Sequence, residues 1–381
     1  PGPRVRVALD ASAIPDPQGG AGRYVLALSG ALGRRADVDL TVVSRTGDTG
    51  RWAGRVVGRA PAHRPARLAW EQAALPGLLR RSGVAVHHAP HYTMPLAGRI
   101  PTVVTIHDLS FFTHPEWHQP AKVAFFRAAI ALSARRASAL VAVSATTADV
   151  LASLMTPRAP VHVIPHGVDH DRFRPEADDD GAALGRLGVA RPYLAFLGTL
   201  EPRKDVPTLG RAFDLLAGAR PDLTLVLAGA PGWGAGAVDA AVAAARHGRR
   251  IRRLGFVAEA DMPALLRCAS AVAYPSLEEG FGLPVLEALA CGAPVVTTSG
   301  TVMEEVAAGA ALLVTPGRGD LLADALEAAI TGGPEAHDRR LLGLAVAARH
   351  TWEASADAHV EVYRSVTAGT GRGPGPGPTP R

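Results

Sequence analysis

Short apolar runs that have the character of buried strands alternate with helical segments along almost the whole chain. In the first half, runs such as Val5–Leu9 and Thr102–Ile106 are each followed by a helical pattern, and Tyr193–Leu197 begins a second series of the same kind. This alternation is typical of α/β domains with mostly parallel sheets. At 381 residues the chain is long enough for two such domains. We therefore predict two Rossmann-like domains facing each other across a cleft, with ligands at the carboxyl ends of the strands.

The predicted first domain covers residues 1–167 and the second covers 168–350, with a linker over residues 170–190. A last helix, predicted over 351–366, is long enough to cross back and pack on the first domain. The remaining residues, 367–381, are dominated by Gly and Pro, cannot bury a core and are predicted to be disordered.

The two halves differ in charge. Residues 1–167 carry 19 Lys and Arg against 9 Asp and Glu, whereas residues 168–381 carry 21 against 26. A basic half can attract an anionic membrane, a phosphorylated acceptor or nucleic acid, but no zinc spacing or aromatic-interleaved basic motif supports nucleic acid. We expect a peripheral membrane contact, with a solvated arginine-rich surface as the alternative. The residues concerned include Arg51, Arg55, Arg59, Arg64, Arg67, Arg80 and Arg81. Arg67–Arg81 also has helical periodicity.

Localisation is predicted from what the sequence lacks. No window offers 18 uninterrupted apolar residues, and the first ten residues run into a predicted strand without the apolar region of a signal peptide. The two cysteines, Cys268 and Cys291, lie in apolar segments without metal-ligand spacing. We expect a cytoplasmic protein that can associate peripherally with the inner face of the membrane.

The stretch Ser276–Pro294, SLEEGFGLPVLEALACGAP, leads from a predicted strand through a glycine turn into a predicted helix. Gly280 and Gly282 let backbone amides turn inward, and Pro284 suits the first turn of a helix. The first N–H groups of such a helix and its dipole favour a phosphate. The stretch therefore predicts an anion site.

Two carboxylates flank this turn, Glu279 before it and Glu287 inside the helix, with seven residues between them. Each can accept two hydroxyl hydrogen bonds, which suits a sugar or a ribose. The alternative is a solvated, purely structural helix face.

Other polar groups also follow predicted strands. His107 and Asp108 come directly after Thr102–Ile106, and Arg203-Lys204 stands in a strand-to-helix turn. Lys204 is one of only two lysines in a chain that otherwise uses arginine, which favours a need for a compact ammonium. The glycine loop Gly19–Tyr24 can approach a phosphate, but its spacing is not the dinucleotide fingerprint, and a plain tight turn explains it equally well.

Together these segments resemble the retaining glycosyltransferases of family 4 (GT4), which have the GT-B fold. The resemblance extends over almost the whole chain and rests on five motifs: Glu279-GFGLPVL-Glu287, GTLEPRKD (198–205), GGAGRY (19–24), VTIHDL (104–109) and IPHGVD (164–169). In the last motif His166 stands where the family commonly has Asn. The segments GRYVLAL and HHAPHYTMPL resemble a mannosyltransferase-like branch of the family.

The resemblance implies catalytic roles for His107, Arg203, Lys204 and Glu279. It implies that the donor is bound by Gly19, Gly20, Arg203, Lys204, Glu279, Gly280, Phe281, Gly282, Leu283 and Glu287. In this picture the two cations hold the donor diphosphate, because the leaving group gains negative charge as the glycosidic bond breaks. Glu279 takes hydroxyls of the donor sugar, Glu287 takes ribose hydroxyls, and His107 lies near the sugar ring. A buried structural histidine is the alternative for His107.

The implied reaction transfers a sugar, mannose or another hexose, from a GDP- or UDP-linked donor to a hydroxyl of a glycan, either free or lipid-linked, with retention of configuration. No metal and no other cofactor is expected, because the D-x-D-like run Asp178–Asp180 falls in the predicted linker. The alternatives are a nucleotide-sugar epimerase or phosphorylase of the same fold, or a two-domain binding protein for a small solute. The sequence predicts neither the donor sugar nor the acceptor.

Overall fold

The computed structural model describes residues 4–14, 19–48 and 50–369, and the chain divides into two compact units. Unit 1 consists of Pro1–Phe112, Pro120–Gly167 and Trp352–Arg381, and unit 2 of Thr113–Gln119 and Val168–Thr351. Residues 367–369 of the predicted disordered tail belong to a helix, and residues 370–381 lie outside the described part of the chain.

Unit 1 contains a parallel sheet of seven strands within the described residues, in the order β3-β2-β1-β4-β5-β6-β7. The strands are β1 (Val5–Asp10), β2 (Val38–Arg45), β3 (Arg55–Ala60), β4 (Val86–Ala89), β5 (Thr102–Ile106), β6 (Ala139–Ala142) and β7 (Val161–Val163). The helices of this part of the chain are α1 (Gly20–Gly33), α2 (Arg64–Ala73), α3 (Leu75–Ser82), α4 (Ser110–Thr113), α5 (Pro120–Arg136) and α6 (Ala145–Leu154).

Unit 2 contains a parallel sheet of six strands within the described residues, in the order β10-β9-β8-β11-β12-β13. The strands are β8 (Tyr193–Leu197), β9 (Thr224–Ala228), β10 (Ile251–Gly255), β11 (Ala271–Tyr274), β12 (Val295–Thr298) and β13 (Leu312–Val314). The helices are α7 (Asp180–Leu187), α8 (Val206–Ala217), α9 (Gly236–Ala244), α10 (Met262–Arg267), α11 (Leu283–Ala290), α12 (Val302–Ala307), α13 (Gly319–Thr331) and α14 (Pro334–Arg349).

The last helix, α15 (Trp352–Gly369), belongs to unit 1. Its apolar side chains Trp352, Ala356, Val360 and Tyr363 join the buried cluster formed by β1, β2 and α1. The C-terminal helix therefore completes the core of the unit that the N-terminal strand begins.

These two parallel sheets confirm the predicted fold class, two Rossmann-like α/β domains. In each sheet the strand order reverses once, between β1 and β4 in unit 1 and between β8 and β11 in unit 2. Loops leaving the carboxyl ends of two such strands diverge to opposite sides of the sheet, which opens a crevice for ligands. In unit 2 the candidate site residues come from these loops. In unit 1 Gly19 and Gly20 follow β1, whereas His107 follows β5, the strand next to β4.

The structure corrects three local predictions. The supposed linker 170–190 contains helix α7, whose first residue, Asp180, forms an ion pair with Arg267 (2.6 Å). The helical pattern Arg67–Arg81 is broken into α2 and α3, and Pro76 stands in the first turn of α3. Arg67 is not part of the basic surface, because its side chain is buried against Glu71.

Several histidines of unit 1 are buried and held neutral. Burial is the main cause, and it lowers the pKa of His359 to about 4 and that of His91 to about 3. Burial also lowers the pKa of His87 and His107, and lowers that of His88 and His166 well below the usual value. The native state of this unit therefore resists protonation.

Lowering the pH from 7 to 5 should lower the melting temperature. Unfolded histidines have a pKa near 6.5, so the unfolded chain takes up protons that the native chain refuses, and stability falls as the pH drops below about 6.5. His359 alone should account for about 2 kcal/mol by pH 5. Glu71 and Asp205, whose pKa values are raised mainly by burial, act in the opposite sense but are fewer.

Scanning calorimetry across this range measures the slope of melting temperature against pH. The variant His359→Gln cannot titrate, so it should have a shallower slope than the wild type. An equal slope in both proteins would contradict the assignment of His359 as a buried neutral histidine.

Candidate functional site

The candidate site of unit 2 lies where β8 and β11 end, next to the reversal of strand order. After β8 the chain forms a short 3-10 turn over Pro202–Lys204, and after β11 it passes through Ser276–Phe281 into α11. Leu277 N–H donates to the carbonyl oxygen of Arg203 (2.8 Å), which ties the two loops together. The two predicted motifs, 75 positions apart, are thus brought side by side.

Glu279 is the centre of this site. One carboxylate oxygen, Oε2, pairs with the Arg203 guanidinium, and the other, Oε1, pairs with the Lys204 ammonium. Tyr274, the last residue of β11, donates its hydroxyl to Oε1 (3.1 Å) and accepts a hydrogen bond from Lys204 Nζ (2.6 Å). Three donors therefore fix the orientation of a carboxylate that is only 8% exposed.

The electrostatics of the site follow from this arrangement. Burial by itself would raise the pKa of Glu279, but attraction by Arg203 and Lys204, with their hydrogen bonds, outweighs it and lowers that pKa to about 2. Burial lowers the pKa of Lys204, and Arg203 adds to that effect while Glu279 opposes it. Glu201 also pairs with Arg203 (2.6 Å), so the formal charges of the two cations and the two carboxylates cancel. Both cations nevertheless lie at one point of the site, where an anionic ligand can compete with the carboxylates for them.

Glu279 and Lys204 can each form one further hydrogen bond. A carboxylate offers about four lone-pair sites, and Glu279 uses three of them. An ammonium has about three N–H groups, and Lys204 donates two of them to partners among the described residues. The site can therefore accept one further hydroxyl and donate to one further oxygen without dismantling the ion pair.

Helix α11 begins beside this ion pair. Gly282 precedes the helix with φ +100°, a left-handed conformation that a side chain would strain, and Pro284 occupies its first turn. The first N–H groups of a helix have no partner within the helix. Phe281 and Leu283 are buried, and Glu287 is buried in the middle of the helix with 4% of its surface exposed. The alternative that Glu287 lies on a solvated helix face is therefore wrong.

Glu278, the neighbour of Glu279, has partners that the sequence analysis did not predict. Thr113 donates its hydroxyl to the Glu278 carboxylate (2.8 and 2.9 Å), and His114 Nε2 lies 3.3 Å from the same group. His114 also stacks on Trp117 with 3.9 Å between ring centroids. The segment Thr113–Gln119 thus holds the loop that carries Glu279.

In unit 1, the predicted glycine loop forms the start of α1. Gly19 precedes the helix with φ −87°, and Gly20 is its first residue. A Cβ added at either glycine would meet nothing within 4 Å among the described residues, and neither has a positive φ. Neither packing nor backbone conformation in this unit therefore requires glycine at these two positions.

His107 directly follows β5 and is partly buried. Its Nε2 lies 2.8 Å from the carbonyl oxygen of Pro90, which can only accept, so Nε2 carries the proton and Nδ1 carries the lone pair. Burial lowers its pKa, although the hydrogen bond to Pro90 and the charge of Asp108 oppose this. His107 is thus a neutral imidazole with a defined tautomer.

The structure brings together Arg203, Lys204, Glu279 and the start of α11 in unit 2, and it places Gly19, Gly20 and His107 in unit 1. Sequence reasoning missed Tyr274, although the last residue of a strand beside a reversal of strand order is a position that points to such a site. It also missed Thr113 and His114, for which no local signal exists. Among the described residues, no group of three or more His, Cys, Asp or Glu side chains is placed to hold a metal ion.

None of the helices within the described ranges combines the length and the apolar character needed to cross a bilayer.

Comparison with known proteins identifies two family matches. Residues 18–172 match the family described as Glycosyltransferase Family 4, and residues 191–332 match the family described as Glycosyl transferases group 1. Together the two matched segments cover most of the chain.

Individual proteins agree with these families. O-antigen chain mannosyltransferase B of Escherichia coli is 29% identical over 321 residues, which cover 79% of this chain and 77% of that protein. D-inositol 3-phosphate glycosyltransferase of Kribbella flavida is 36% identical over 231 residues, which cover 55% of this chain and only about half (52%) of that protein. The crystal structure of HepE from Anabaena with UDP-glucose superposes with a TM-score of 0.72 at 20% identity, covering 95% of this chain and 100% of that chain. At that identity the likeness shows the fold alone.

The ion pair of Glu279 should contribute strongly to stability. Glu279→Ala leaves the buried ammonium of Lys204 without its carboxylate and removes one of the two carboxylates that pair with Arg203, so it should lower the free energy of unfolding by roughly 3 kcal/mol. The matched control is Glu201→Ala, because Glu201 also pairs with Arg203 (2.6 Å) but its side chain is 26% exposed. That control should cost less than about 1 kcal/mol. Urea denaturation compares the two variants, and equal losses would show that the buried pair has no special weight.

Proposed function

The chain belongs to the family 4 glycosyltransferases, and on this premise we propose that it transfers a hexose from a nucleoside-diphosphate donor to a hydroxyl of a glycan, with retention of anomeric configuration. The observation that carries the proposal is the convergence of Arg203, Lys204 and Glu279 at the reversal of strand order in unit 2. The cations suit the anionic end of a ligand, and the remaining lone-pair site of Glu279 suits a hydroxylated end.

In the proposed reaction the cations act on the leaving group. As the glycosidic bond breaks, the bond electrons pass to the diphosphate oxygen, and preorganised positive charge stabilises this change. Arg203 and Lys204 supply that charge, and the buried carboxylate of Glu279 holds both in place before the donor arrives. The remaining lone-pair site of Glu279 accepts a hydroxyl of the donor sugar.

The rest of the donor is assigned to backbone groups and to Glu287. We assign the N–H groups near Gly280, Phe281, Gly282 and Leu283 to the phosphates, as expected for a helix N-terminus. Glu287 accepts the ribose hydroxyls. In unit 1 the Gly19-Gly20 pair leaves its backbone open to a phosphate, and the room around both glycines supports this role.

For retention we propose a front-face route, in which the leaving phosphate takes the proton of the acceptor hydroxyl as that oxygen attacks the anomeric carbon. No resident metal takes part in this proposal, because the two cations perform the charge stabilisation. His107, with its lone pair on Nδ1, accepts a hydrogen bond from a sugar hydroxyl near the reacting carbon.

We propose mannose as the first donor sugar to test and a lipid-linked glycan as the acceptor. The mannosyltransferase of Escherichia coli supports the sugar, while the UDP-glucose bound by HepE keeps UDP donors in the screen. The exposed arginines of unit 1 support a peripheral contact with an anionic membrane: Arg55, Arg59, Arg64, Arg80 and Arg81.

Incubation with radiolabelled GDP-mannose, UDP-glucose and ADP-glucose tests the proposal. One donor should release its nucleoside diphosphate slowly without acceptor and faster when a glycan or polyprenyl-linked glycan is added. Proton NMR of the product should show the same anomeric configuration as the donor. Hydride exchange or epimerisation without release of a nucleoside diphosphate would overturn the assignment as a transferase.

Two variants separate the roles of charge and ribose binding. Lys204→Ala should lower kcat/KM by roughly 2–4 kcal/mol of transition-state stabilisation, because it removes a charge that matters most when the bond breaks. Glu279→Gln should cost about as much, because it removes the charged partner that holds both cations in place. Glu287→Gln should mainly raise the donor KM, since a ribose contact binds ground and transition states alike. Steady-state kinetics with saturating acceptor distinguish these outcomes, and an unchanged kcat/KM for Lys204→Ala would refute the diphosphate assignment.

A further inference from the structure

A continuous chain of buried hydrogen bonds runs through unit 1 from β4 and β5 to helix α15. Tyr363 Oη lies 2.7 Å from His88 Nδ1, and His88 Nε2 lies 2.8 Å from Thr105 Oγ1. Thr105 Oγ1 lies 3.1 Å from Tyr24 Oη, which lies 2.9 Å from His359 Nε2. His359 Nδ1 ends the chain, 2.7 Å from the carbonyl oxygen of Ser355. All five side chains are fully buried.

The five side chains of this hydrogen-bond chain, Tyr363, His88, Thr105, Tyr24 and His359, are called the relay below. The Ser355 carbonyl oxygen at one end fixes the direction of every hydrogen bond in it. A carbonyl oxygen only accepts, so His359 Nδ1 carries the proton, and Nε2 of the neutral ring must accept from the Tyr24 hydroxyl. The Tyr24 oxygen then accepts from Thr105, whose oxygen accepts from His88 Nε2–H. His88 Nδ1 in turn accepts from Tyr363.

Each member of the relay donates one hydrogen bond to the next group. If one member changed from donor to acceptor, its neighbours would also have to change, so the directions are fixed together. Burial keeps both histidines neutral, which the relay needs, since a doubly protonated ring would offer donors on both sides. Tyr24 is consequently held by two partners from different parts of the chain, Thr105 on β5 and His359 on α15.

The ring of Tyr24 contacts His107, the candidate residue of this unit. The two rings meet edge to face, with 5.1 Å between centroids and 81° between planes. His107 is also held by the hydrogen bond that its Nε2 donates to the Pro90 carbonyl oxygen. Tyr24 also lies against His166, at 4.7 Å between centroids. The imidazole is therefore held by one hydrogen bond and by several rings. Tyr24 has the shortest distance between centroids, and His166, His91 and Tyr92 follow at 5.9, 6.0 and 6.1 Å.

We propose that Tyr24 is a positioning residue for His107, and that helix α15 enforces this position by supplying the hydrogen-bond acceptor His359. The Tyr24 hydroxyl fixes the tilt of its ring, and the ring keeps His107 Nδ1 aimed at the substrate. The catalytic part of this inference rests on the proposed function, in which His107 binds a sugar hydroxyl.

The test compares two tyrosines that lose the same buried hydroxyl. Tyr24→Phe should lower kcat about tenfold while the donor KM changes less than about twofold, because misplacement of a reacting group affects the chemical step. Tyr363→Phe removes another link of the relay but leaves both partners of Tyr24 and the contact with His107, so kcat should stay within about twofold. Equal losses of kcat in the two variants, or none in Tyr24→Phe, would overturn the proposal.

A second pair of variants leaves Tyr24 itself intact. His359→Leu removes the acceptor of the Tyr24 hydroxyl and should lower kcat as Tyr24→Phe does. His359→Gln places an amide oxygen near the position of Nε2 and should restore most of the activity. If Gln and Leu are equally impaired although both fold by circular dichroism, the acceptor at this position does not position Tyr24.

A readout without turnover separates this inference from the proposed function. Nitrogen-15 NMR of the histidine rings, with His107 assigned by the variant His107→Gln, reports its tautomer and surroundings. Tyr24→Phe should shift the His107 signals and Tyr363→Phe should not. If no donor is turned over but these shifts appear, the positioning holds and the transferase assignment fails. If transfer occurs but the shifts and the kcat loss are absent, the positioning fails.

Discussion

Each sheet of this protein reverses its strand order once, and the charged candidate site of unit 2 depends on that reversal. Between β8 and β11 the loops carry Lys204 and Glu279 into one ion pair, although 75 positions separate them. Away from the reversal, successive helices pack on the same face of a parallel sheet and leave little space between the loops that follow the strands. At the reversal the two loops diverge, and polar groups from both can converge in the space between them. The topology thus selects the place, and the residue types in the two loops select the chemistry.

The buried negative charge of Glu279 is tolerated because several hydrogen-bond donors and cations surround it. Glu279 has contacts to Arg203, Lys204 and the hydroxyl of Tyr274, so the cost of taking its charge from water is offset by three donors. Such a group cannot rearrange cheaply, and a ligand that enters meets charges already in place. Preorganisation of this kind is what a reaction that moves charge onto a leaving group requires.

Most strands can be predicted from the sequence because the signal for a buried strand is local. Thr102–Ile106 was predicted with the bounds that the structure has, since a run of β-branched residues marks a buried strand. Helix α7 was missed because its sequence, DGAALGRL, holds two glycines and depends on the contact of Asp180 with Arg267. The burial of Arg67 and the partnership of Tyr24 with His359 depend on contacts that no local pattern encodes.

Unit 1 is assembled from both ends of the described chain, and this has a consequence for its biosynthesis. Tyr24 and His359 are 335 positions apart, and the whole of unit 2 lies between them in the sequence. During translation unit 1 cannot complete its fold until His359, the acceptor of the Tyr24 hydroxyl, has been synthesised. Unit 2 can fold earlier, as its residues leave the ribosome. Helix α15, which leaves the ribosome after unit 2, therefore completes the core of unit 1, and a nascent chain that stops before it carries an incomplete first unit.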